Sequence, residues 1–249
     1  MAGKKLQDKI ALITGASQGI GAAVARAYAR QGAHVILVAR NQKNLEKIDD
    51  EIQAEGGKAA LLPLDLQDFD AIKKIGPSIA EKFGKLDIFV GNAGLAGTLM
   101  PLAQISDTEF NRILDVNLKA NFHLLKTLDP LLQASEAGRV ILVSTGQAVT
   151  KGRAYWGTYA ISKAALETMA QVYADEVRQT NTKVNLIDPD VVRTDMRASV
   201  KPGEDPMSIP SPDDVTPYFI DLAAPDCTQH GEIIRIDSNE IRKGESHAA

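Results

Sequence analysis

The sequence predicts a single α/β domain, residues 1–249, built on a doubly wound parallel sheet of about seven strands with helices on both faces. Three observations support this fold class. Short apolar runs alternate with segments of helical periodicity along the whole chain. Several runs end in glycine, asparagine or aspartate, as strands do where a parallel sheet meets its ligands. The 249 residues, 44% of them hydrophobic, suffice for one full core, and no linker or repeat divides them.

Composition excludes several classes of function. The net charge is −4 without a basic run, which argues against nucleic acid or anionic membranes as partners. The single cysteine, Cys227, rules out an internal disulfide and fits a reducing compartment. No apolar run reaches the ~18 residues of a membrane span. We therefore expect a cytoplasmic protein that acts on small molecules, and we predict no metal site.

The first apolar run, Lys9–Thr14, leads into the turn Gly15-Ala16-Ser17-Gln18-Gly19-Ile20-Gly21, and a helix is predicted from Ala22. A strand, a glycine-rich turn and a helix start in this order are typical of dinucleotide binding. Glycines let the backbone approach a pyrophosphate, and the helix start offers free N–H groups. The spacing GxxxGxG is less specific than GxGxxG, so an ordinary glycine-rich turn remains the alternative.

The second strand, His34–Val38, is followed by Ala39-Arg40-Asn41. An acidic residue at this place would bind the ribose 2′-hydroxyl of NAD, whereas an arginine accommodates the 2′-phosphate of NADP. Because Arg40 is the charged residue here, the sequence predicts NADP(H), with NAD(H) as the alternative. Asn41 is expected to cap a helix over 42–55.

The third strand, Lys58–Leu62, closes on Asp65, which either faces a ligand or caps the next helix. That helix, 67–83, contains Gly76-Pro77, so a kink or break is expected. A fourth strand, Leu86–Val90, opens into Gly91-Asn92-Ala93-Gly94, where small residues allow close approach of a ligand.

A long helix is predicted from Ser106 to about Leu132, with Leu114, Leu118, Phe122 and Leu125 on its apolar side and Asn117 beside that stripe. Taken alone, Asn117 fits a structural role. A fifth strand, 138–143, is followed by Ser144-Thr145.

Tyr159 and Lys163 are four residues apart in a segment of helical periodicity, so they share one helix face. A phenol titrates near ~10, and a neighbouring ammonium favours its anion. This pair therefore predicts a proton donor or acceptor that works near neutral pH.

The chain closes with a sixth strand through Asn185–Asp188, a turn-rich lid over about 195–210 and a helix from Ser211. A last strand covers 232–236. The polar tail 238–249 is expected to be mobile.

In their order, these motifs resemble those of short-chain dehydrogenases/reductases, from about residue 6 to 237. They are the Thr14–Gly21 turn, Asp65, Asn92-Ala93-Gly94, Asn117, Tyr159-x-x-x-Lys163 and Thr194. The resemblance implies a Rossmann-type fold and hydride transfer between a nicotinamide and a carbonyl or alcohol. It also implies a homodimer or homotetramer built on the two long helices.

The resemblance also assigns roles. Tyr159 would be the general acid/base, Lys163 would lower its pKa and bind the nicotinamide ribose, Asn117 would hold a water, and Thr194 would hold the carboxamide. The implied cofactor contacts are Gly15, Ser17, Gln18, Gly19, Ile20, Gly21, Arg40, Asp65, Leu66, Asn92, Ala93, Gly94, Tyr159, Lys163, Pro189, Val192 and Thr194.

Two positions depart from the family pattern. The substrate-orienting serine, thirteen residues before the tyrosine, is replaced by Gly146, and we favour Thr145 over Ser144 for its role. The family's Pro-Gly after the sixth strand is Pro189-Asp190. Asp190 either turns to solvent or faces the nicotinamide and favours its oxidised, cationic form. These departures leave a cofactor-binding sensor with little turnover as the alternative to an enzyme.

Overall fold

The computed structural model describes residues 3–146 and 152–243, which form a seven-stranded, all-parallel sheet in the order β3-β2-β1-β4-β5-β6-β7. The strands are β1 Ile10–Thr14, β2 His34–Ala39, β3 Lys58–Pro63, β4 Ile88–Gly91, β5 Arg139–Val143, β6 Lys183–Asp188 and β7 Ile233–Arg235. Strands β2 and β3 lie on one side of β1, whereas β4 to β7 lie on the other side, so the strand order switches between β1 and β4. This is the topological switch point at which such sheets bind ligands, and the predicted fold class is confirmed.

Helices connect the strands. They are α1 Gly19–Arg30, α2 Gln42–Ala54, α3 Phe69–Ile72, α4 Ile75–Phe83, α5 Asp107–Leu114, α6 Ala120–Gln133, α7 Gly157–Glu176, α8 Asp195–Val200, α9 Thr216–Ala223 and α10 Ser238–Lys243. Among these helices, none combines the length and the apolarity that a bilayer crossing requires. Asn41 caps α2 as predicted, accepting a hydrogen bond from the backbone N–H of Asn44.

Buried apolar residues form two clusters, because neighbouring residues of a strand point to opposite faces. On β1, Ile13 joins the cluster that contains Tyr28 and Phe219, whereas Leu12 joins the one with Phe89 and Leu128. Helices therefore cover both faces of the sheet.

The helix predicted over 67–83 is broken, as Pro77 suggested. A proline clashes with the carbonyl four residues earlier, which is that of Lys73. The helix stops at Ile72 and restarts at Ile75, and the Thr127 hydroxyl donates to the freed Lys73 carbonyl (3.1 Å).

Three further expectations differ from the structure. Phe122 was placed on the apolar side of its helix, but half of its surface is exposed. The helix predicted over 106–132 is interrupted by a π-helical turn, Asp115–Lys119. The tail was expected to be mobile from 238, yet Ser238–Lys243 forms α10, and Ile241 packs against the core. The rest of the tail, 244–249, lies outside the described residues.

Candidate functional site

A cleft of about 510 Å³ runs along the carboxyl ends of the central strands. Its lining includes sixteen of the predicted cofactor residues: Gly15, Ser17, Gln18, Gly19, Ile20, Arg40, Asp65, Leu66, Asn92, Ala93, Gly94, Tyr159, Lys163, Pro189, Val192 and Thr194. Thr145 lines it too. Residues that are distant in the chain meet here because every parallel strand ends at this edge of the sheet.

The glycine-rich turn has the geometry of a phosphate cradle. Gly15 and Gly19 have φ values of 67° and 55°, which favour glycine. A Cβ on Gly15 would lie 2.8 Å from Asn92 Nδ2, and one on Gly21 would overlap the Gly15 carbonyl. Helix α1 starts at Gly19 with no acidic residue in its first turn and no side-chain cap. Its first N–H groups and its positive dipole end therefore suit a pyrophosphate.

Thr14, which the sequence analysis did not single out as a site residue, ties the ends of β1 and β4 together. Its Oγ1 accepts hydrogen bonds from the backbone N–H groups of Asn92 (3.0 Å) and Ala93 (3.1 Å). Its carbonyl accepts one from Asn92 Nδ2 (2.9 Å). The sequence signal that could have identified Thr14 is its position as the last residue of β1.

Arg40 and Asp65 line the cleft where β2 and β3 end. The Arg40 side chain is exposed. Asp65 Oδ1 accepts the backbone N–H of Gln67 (3.0 Å), and Asp68 is the residue that caps the next helix, at Ala71 (2.9 Å). Of the two roles weighed for Asp65, the helix cap is excluded.

Tyr159 and Lys163 lie together at the opposite end, on the first turns of α7. Lys163 Nζ is 5.9 Å from the centre of the Tyr159 ring and donates to the Val143 carbonyl (2.6 Å). The Thr145 side chain hydrogen-bonds to Tyr159. A phenol, a hydroxyl and an ammonium group thus share one wall of the cleft.

Burial controls the ionisation of this pair. It raises the pKa of Tyr159 to about 12, with a further rise from the Asp188 carboxylate and an opposing contribution from the Thr145 hydrogen bond. Burial lowers the pKa of Lys163 to about 8, against the influence of Glu167. The expectation that Lys163 brings the Tyr159 pKa close to neutrality is wrong for the protein alone, because burial of the phenol is the largest cause and moves its pKa upward.

The choice between Thr145 and Ser144 follows from where each hydroxyl points. Ser144 is buried, and its Oγ donates to Glu167 Oε1 (2.6 Å), on α7 one turn beyond Lys163. The Thr145 hydroxyl, by contrast, hydrogen-bonds to Tyr159. Sequence reasoning missed Glu167, whose only signal was its spacing of four from Lys163.

Asn117 is fully buried within the π-helical turn. Its Oδ1 accepts the Leu95 N–H (2.7 Å), and its Nδ2 donates to the Leu95 carbonyl (3.0 Å) and to Ser162 Oγ (2.9 Å). Protein groups thus engage the side-chain amide, and the expected role of Asn117 in holding a water stays a prediction. A Cβ on Gly94 would lie 3.4 Å from Asn117 Oδ1 and 3.6 Å from Lys163 Nζ. Asn117 therefore holds the loop after β4 against Lys163.

The two departures from the family pattern meet at one buried carboxylate, Asp188. It accepts hydrogen bonds from the backbone N–H of Asp190 (3.1 Å) and from the backbone of Gly146, and burial raises its pKa. A Cβ on Gly146 would overlap this carboxylate. A serine at 146 is thus incompatible with Asp188 in this position, which explains the glycine.

Asp190 adopts φ 53°, a left-handed conformation that glycine would adopt more easily. Its carboxylate accepts a hydrogen bond from Ser238 Oγ (2.6 Å) at the start of α10. Asp190 is partly buried, and its carboxylate is anchored to the C-terminal helix. Asp190 nevertheless lines the cleft.

Thr194 begins the lid. Its Oγ1 accepts the Arg197 N–H (3.1 Å) and so caps α8, and its Cγ2 would lie 3.2 Å from a Cβ on Gly19. Two lid arginines are engaged, Arg197 by Glu204 (2.5 and 2.6 Å) and Arg193 by Met207 Sδ (2.7 Å). The lid thus approaches the glycine-rich turn at Thr194, and Met196, Arg197 and Val200 line the cleft.

Comparison with known proteins agrees with this geometry. The short chain dehydrogenase family model matches residues 9–205. The uncharacterized oxidoreductase YciK of Escherichia coli K12 is 39% identical over 224 residues, which are 89% of this chain and 88% of that protein.

Two solved structures of short chain dehydrogenases carry a cofactor. One, from Escherichia coli CFT073, is complexed with NADPH. It has a TM-score of 0.89 and 38% identity, covering 93% of this chain and 98% of that one. The other, from Shigella flexneri 2a, is complexed with NADP, with a TM-score of 0.89, 37% identity and the same two coverages, 93% and 98%. The fold, the cleft and these matches agree, and this chain belongs to the short-chain dehydrogenase/reductase family of nicotinamide-dependent oxidoreductases.

Proposed function

We propose that this protein is an NADP(H)-dependent oxidoreductase that interconverts a carbonyl and an alcohol, with Tyr159 as the general acid/base. One observation carries the proposal. The Tyr159 hydroxyl, bonded to Thr145 and next to Lys163, occupies the same cleft as a glycine-rich turn shaped for a pyrophosphate.

Carbonyl reduction needs a hydride, which the nicotinamide cofactor supplies when bound, and a proton, which we assign to Tyr159. With its pKa raised to about 12, Tyr159 is a neutral phenol at pH 7 and can donate its proton to the developing alkoxide. The Thr145 hydroxyl, within hydrogen-bonding reach of Tyr159, would orient the substrate oxygen.

Lys163 and Asn117 support this centre. We assign to the Lys163 ammonium two tasks: binding the nicotinamide ribose and stabilising negative charge that develops near Tyr159. Its bond to the Val143 carbonyl holds it at the end of β5. Asn117, through Leu95 and Ser162, fixes the loop that faces Lys163, so we propose it as a positioning residue.

Preference for NADP(H) over NAD(H) rests on Arg40. Its exposed guanidinium borders the cleft at the end of β2, where a 2′-phosphate would lie, and both cofactor-bound relatives described above carry NADPH or NADP. Asn41 and Asn44 beside it add hydrogen-bonding groups without a competing acid.

The test of cofactor preference is a fluorescence titration with NADPH and, in parallel, NADH. Trp156 is the only tryptophan of the chain and lines the cleft, so energy transfer from it reports binding. We expect tighter binding of NADPH and a loss of that preference in Arg40→Ala. Equal affinities in the wild type, or an unchanged preference in the variant, would refute the assignment.

The test of catalysis is a screen of carbonyl compounds with NADPH. Turnover that disappears in Tyr159→Phe while NADPH binding persists supports the enzyme. Cofactor binding without turnover would instead favour the sensor.

We also propose a homodimer or homotetramer that pairs the two long helical segments. The apolar side chains of Phe122 on α6 and of Ile161 and Val172 on α7 are between 41% and 54% exposed. Light scattering would detect the assembly, and a monomer would exclude it.

A further inference from the structure

Beside the cleft lies a second groove of about 420 Å³, which we call the outer groove. Residues 99–101, 153–156 and 200–201 line it. It shares Trp156 and Val200 with the cleft, so the two spaces adjoin. The Trp156 ring is 5.6 Å from the Tyr159 ring. A substrate whose carbonyl meets Tyr159 would therefore extend past Trp156 into the outer groove.

Aromatic and apolar side chains dominate the walls of the outer groove. Trp156 and Tyr155 stand on one side, and Leu99, Met100 and Pro101 complete the lining. Tyr155 is 58% exposed, although a large aromatic side chain gains free energy by leaving water. Such walls favour a planar, apolar body over a sugar or a polyol.

The charges of the outer groove have one sign. Arg153 and Lys201 are its ionised residues among the described lining, and neither forms an ion pair within the described part of the chain. The Arg153 guanidinium carbon lies 5.9 Å from the centre of the Trp156 ring, beside the apolar wall. Glu204, the acidic residue closest to Lys201 in the lid sequence, is held by Arg197 in a bidentate pair. The Glu204 carboxylate also attracts the charge of Lys201, but it is not among the described lining of the groove, where the two cations have no acidic neighbour.

We propose that the preferred substrates are aromatic carbonyl compounds that carry a carboxylate or another anionic group, which binds Arg153 and Lys201 in the outer groove. This inference rests on the proposed function and adds the substrate class to it. The two ring contacts limit the distance between the Tyr159 ring and the Arg153 guanidinium to the sum of 5.6 and 5.9 Å. The phenol and the guanidinium thus both lie beside Trp156, within reach of a single small aromatic compound.

The test compares two probes of nearly equal shape, 4-formylbenzoate and 4-formylbenzamide, as substrates with NADPH. Exposed ion pairs contribute modestly, so two cations are expected to give the carboxylate an advantage in kcat/KM of about tenfold at low salt. Since salt screens such pairs, the advantage should shrink as ionic strength rises. In the double variant Arg153→Gln/Lys201→Gln, the advantage of the carboxylate should vanish. Lys47→Gln, which changes an exposed lysine on α2, is the matched control and should retain it.

A second readout does not require turnover. Benzoate and benzamide are titrated against the protein with NADP⁺ present, with Trp156 fluorescence as the signal. We expect about tenfold tighter binding of benzoate, lost in the double variant and kept in the control. Equal binding of the two probes, or a preference that survives in the double variant, would overturn the proposal.

The two proposals fail in different ways. Turnover of both aldehydes at equal kcat/KM would leave the oxidoreductase standing and exclude the anionic substrate class. Absence of NADPH binding would instead contradict the proposed function.

Discussion

Replacing Lys163 by methionine is expected to make the protein more stable at pH 7, in the absence of added cofactor, while abolishing activity. Lys163 is 3% exposed, and its pKa is lowered from 10.5 to about 8 by burial. At about 1.36 kcal/mol per pKa unit, burial of the charged form costs about 3 kcal/mol of the free energy of unfolding. The variant also loses the bond to Val143, which leaves a carbonyl unpaired at a cost of about 1–3 kcal/mol. The net gain is therefore about 1 kcal/mol.

The pH dependence isolates the titration of this one group. Below pH 8 both the folded and the unfolded protein carry the Lys163 proton, so the full free-energy cost of burying the charged side chain is present. Between pH 8 and 10.5 the folded state has released the proton while the unfolded state keeps it, so the stability of the wild type rises with pH. Relative to Lys163→Met, the wild type should gain about 2 kcal/mol between pH 7 and pH 10.

Urea unfolding followed by circular dichroism at pH 7, 8.5 and 10 measures this difference. Lys47→Met, at an exposed position on α2, is the control and should track the wild type at every pH. A stability difference between Lys163→Met and the wild type that stays constant from pH 7 to pH 10 would show that burial does not lower the Lys163 pKa.

Three other substitutions probe the same wall of the cleft. Asp188→Asn removes a charge that raises the pKa of Tyr159, so the Tyr159 pKa should fall. The fall should be less than about two units, because burial is the larger cause of the raised pKa. The pH profile of alcohol oxidation should then move to lower pH, and an unmoved profile would contradict this prediction. Thr145→Ala should lower kcat/KM by about tenfold or more, and Ser144→Ala by much less, since only the Thr145 hydroxyl contacts Tyr159; equal losses would reverse our choice between them. Gly146→Ala places a methyl group on the Asp188 carboxylate and should destabilise the protein by about 1–3 kcal/mol in urea unfolding; an unchanged midpoint would mean that the loop adapts without cost.

The fold could be predicted from the sequence because each of its signals is local. The apolar run, the glycine turn and the helix start at 9–28 are contiguous, and their order alone indicates a strand that delivers a ligand to a helix N-terminus. Asn41 caps its helix through contacts three residues away. Even the break before Pro77 follows from steric conflict one turn earlier.

Chemistry at the site was less accessible to sequence reasoning. The spacing of Tyr159 and Lys163 placed them on one face of a helix, yet it gave the wrong direction for the Tyr159 pKa. A neighbouring charge is visible as a residue in the sequence, whereas burial is a property of the packed chain. Phe122 was misassigned for a related reason, since periodicity identifies apolar faces without showing which of them meets the core.

The sequence by itself determined the order of the strands and helices, the glycine-rich turn, the arginine at the end of β2 and the tyrosine–lysine pair, because each is a short-range pattern with a direct physical meaning. Only the tertiary structure decided that Thr145 rather than Ser144 meets Tyr159, and that Asp188 joins Gly146 to Asp190. It likewise brought Ser238 to Asp190 across 48 residues. Contacts of this kind depend on where distant segments come to lie in the sheet, and no local periodicity specifies that position.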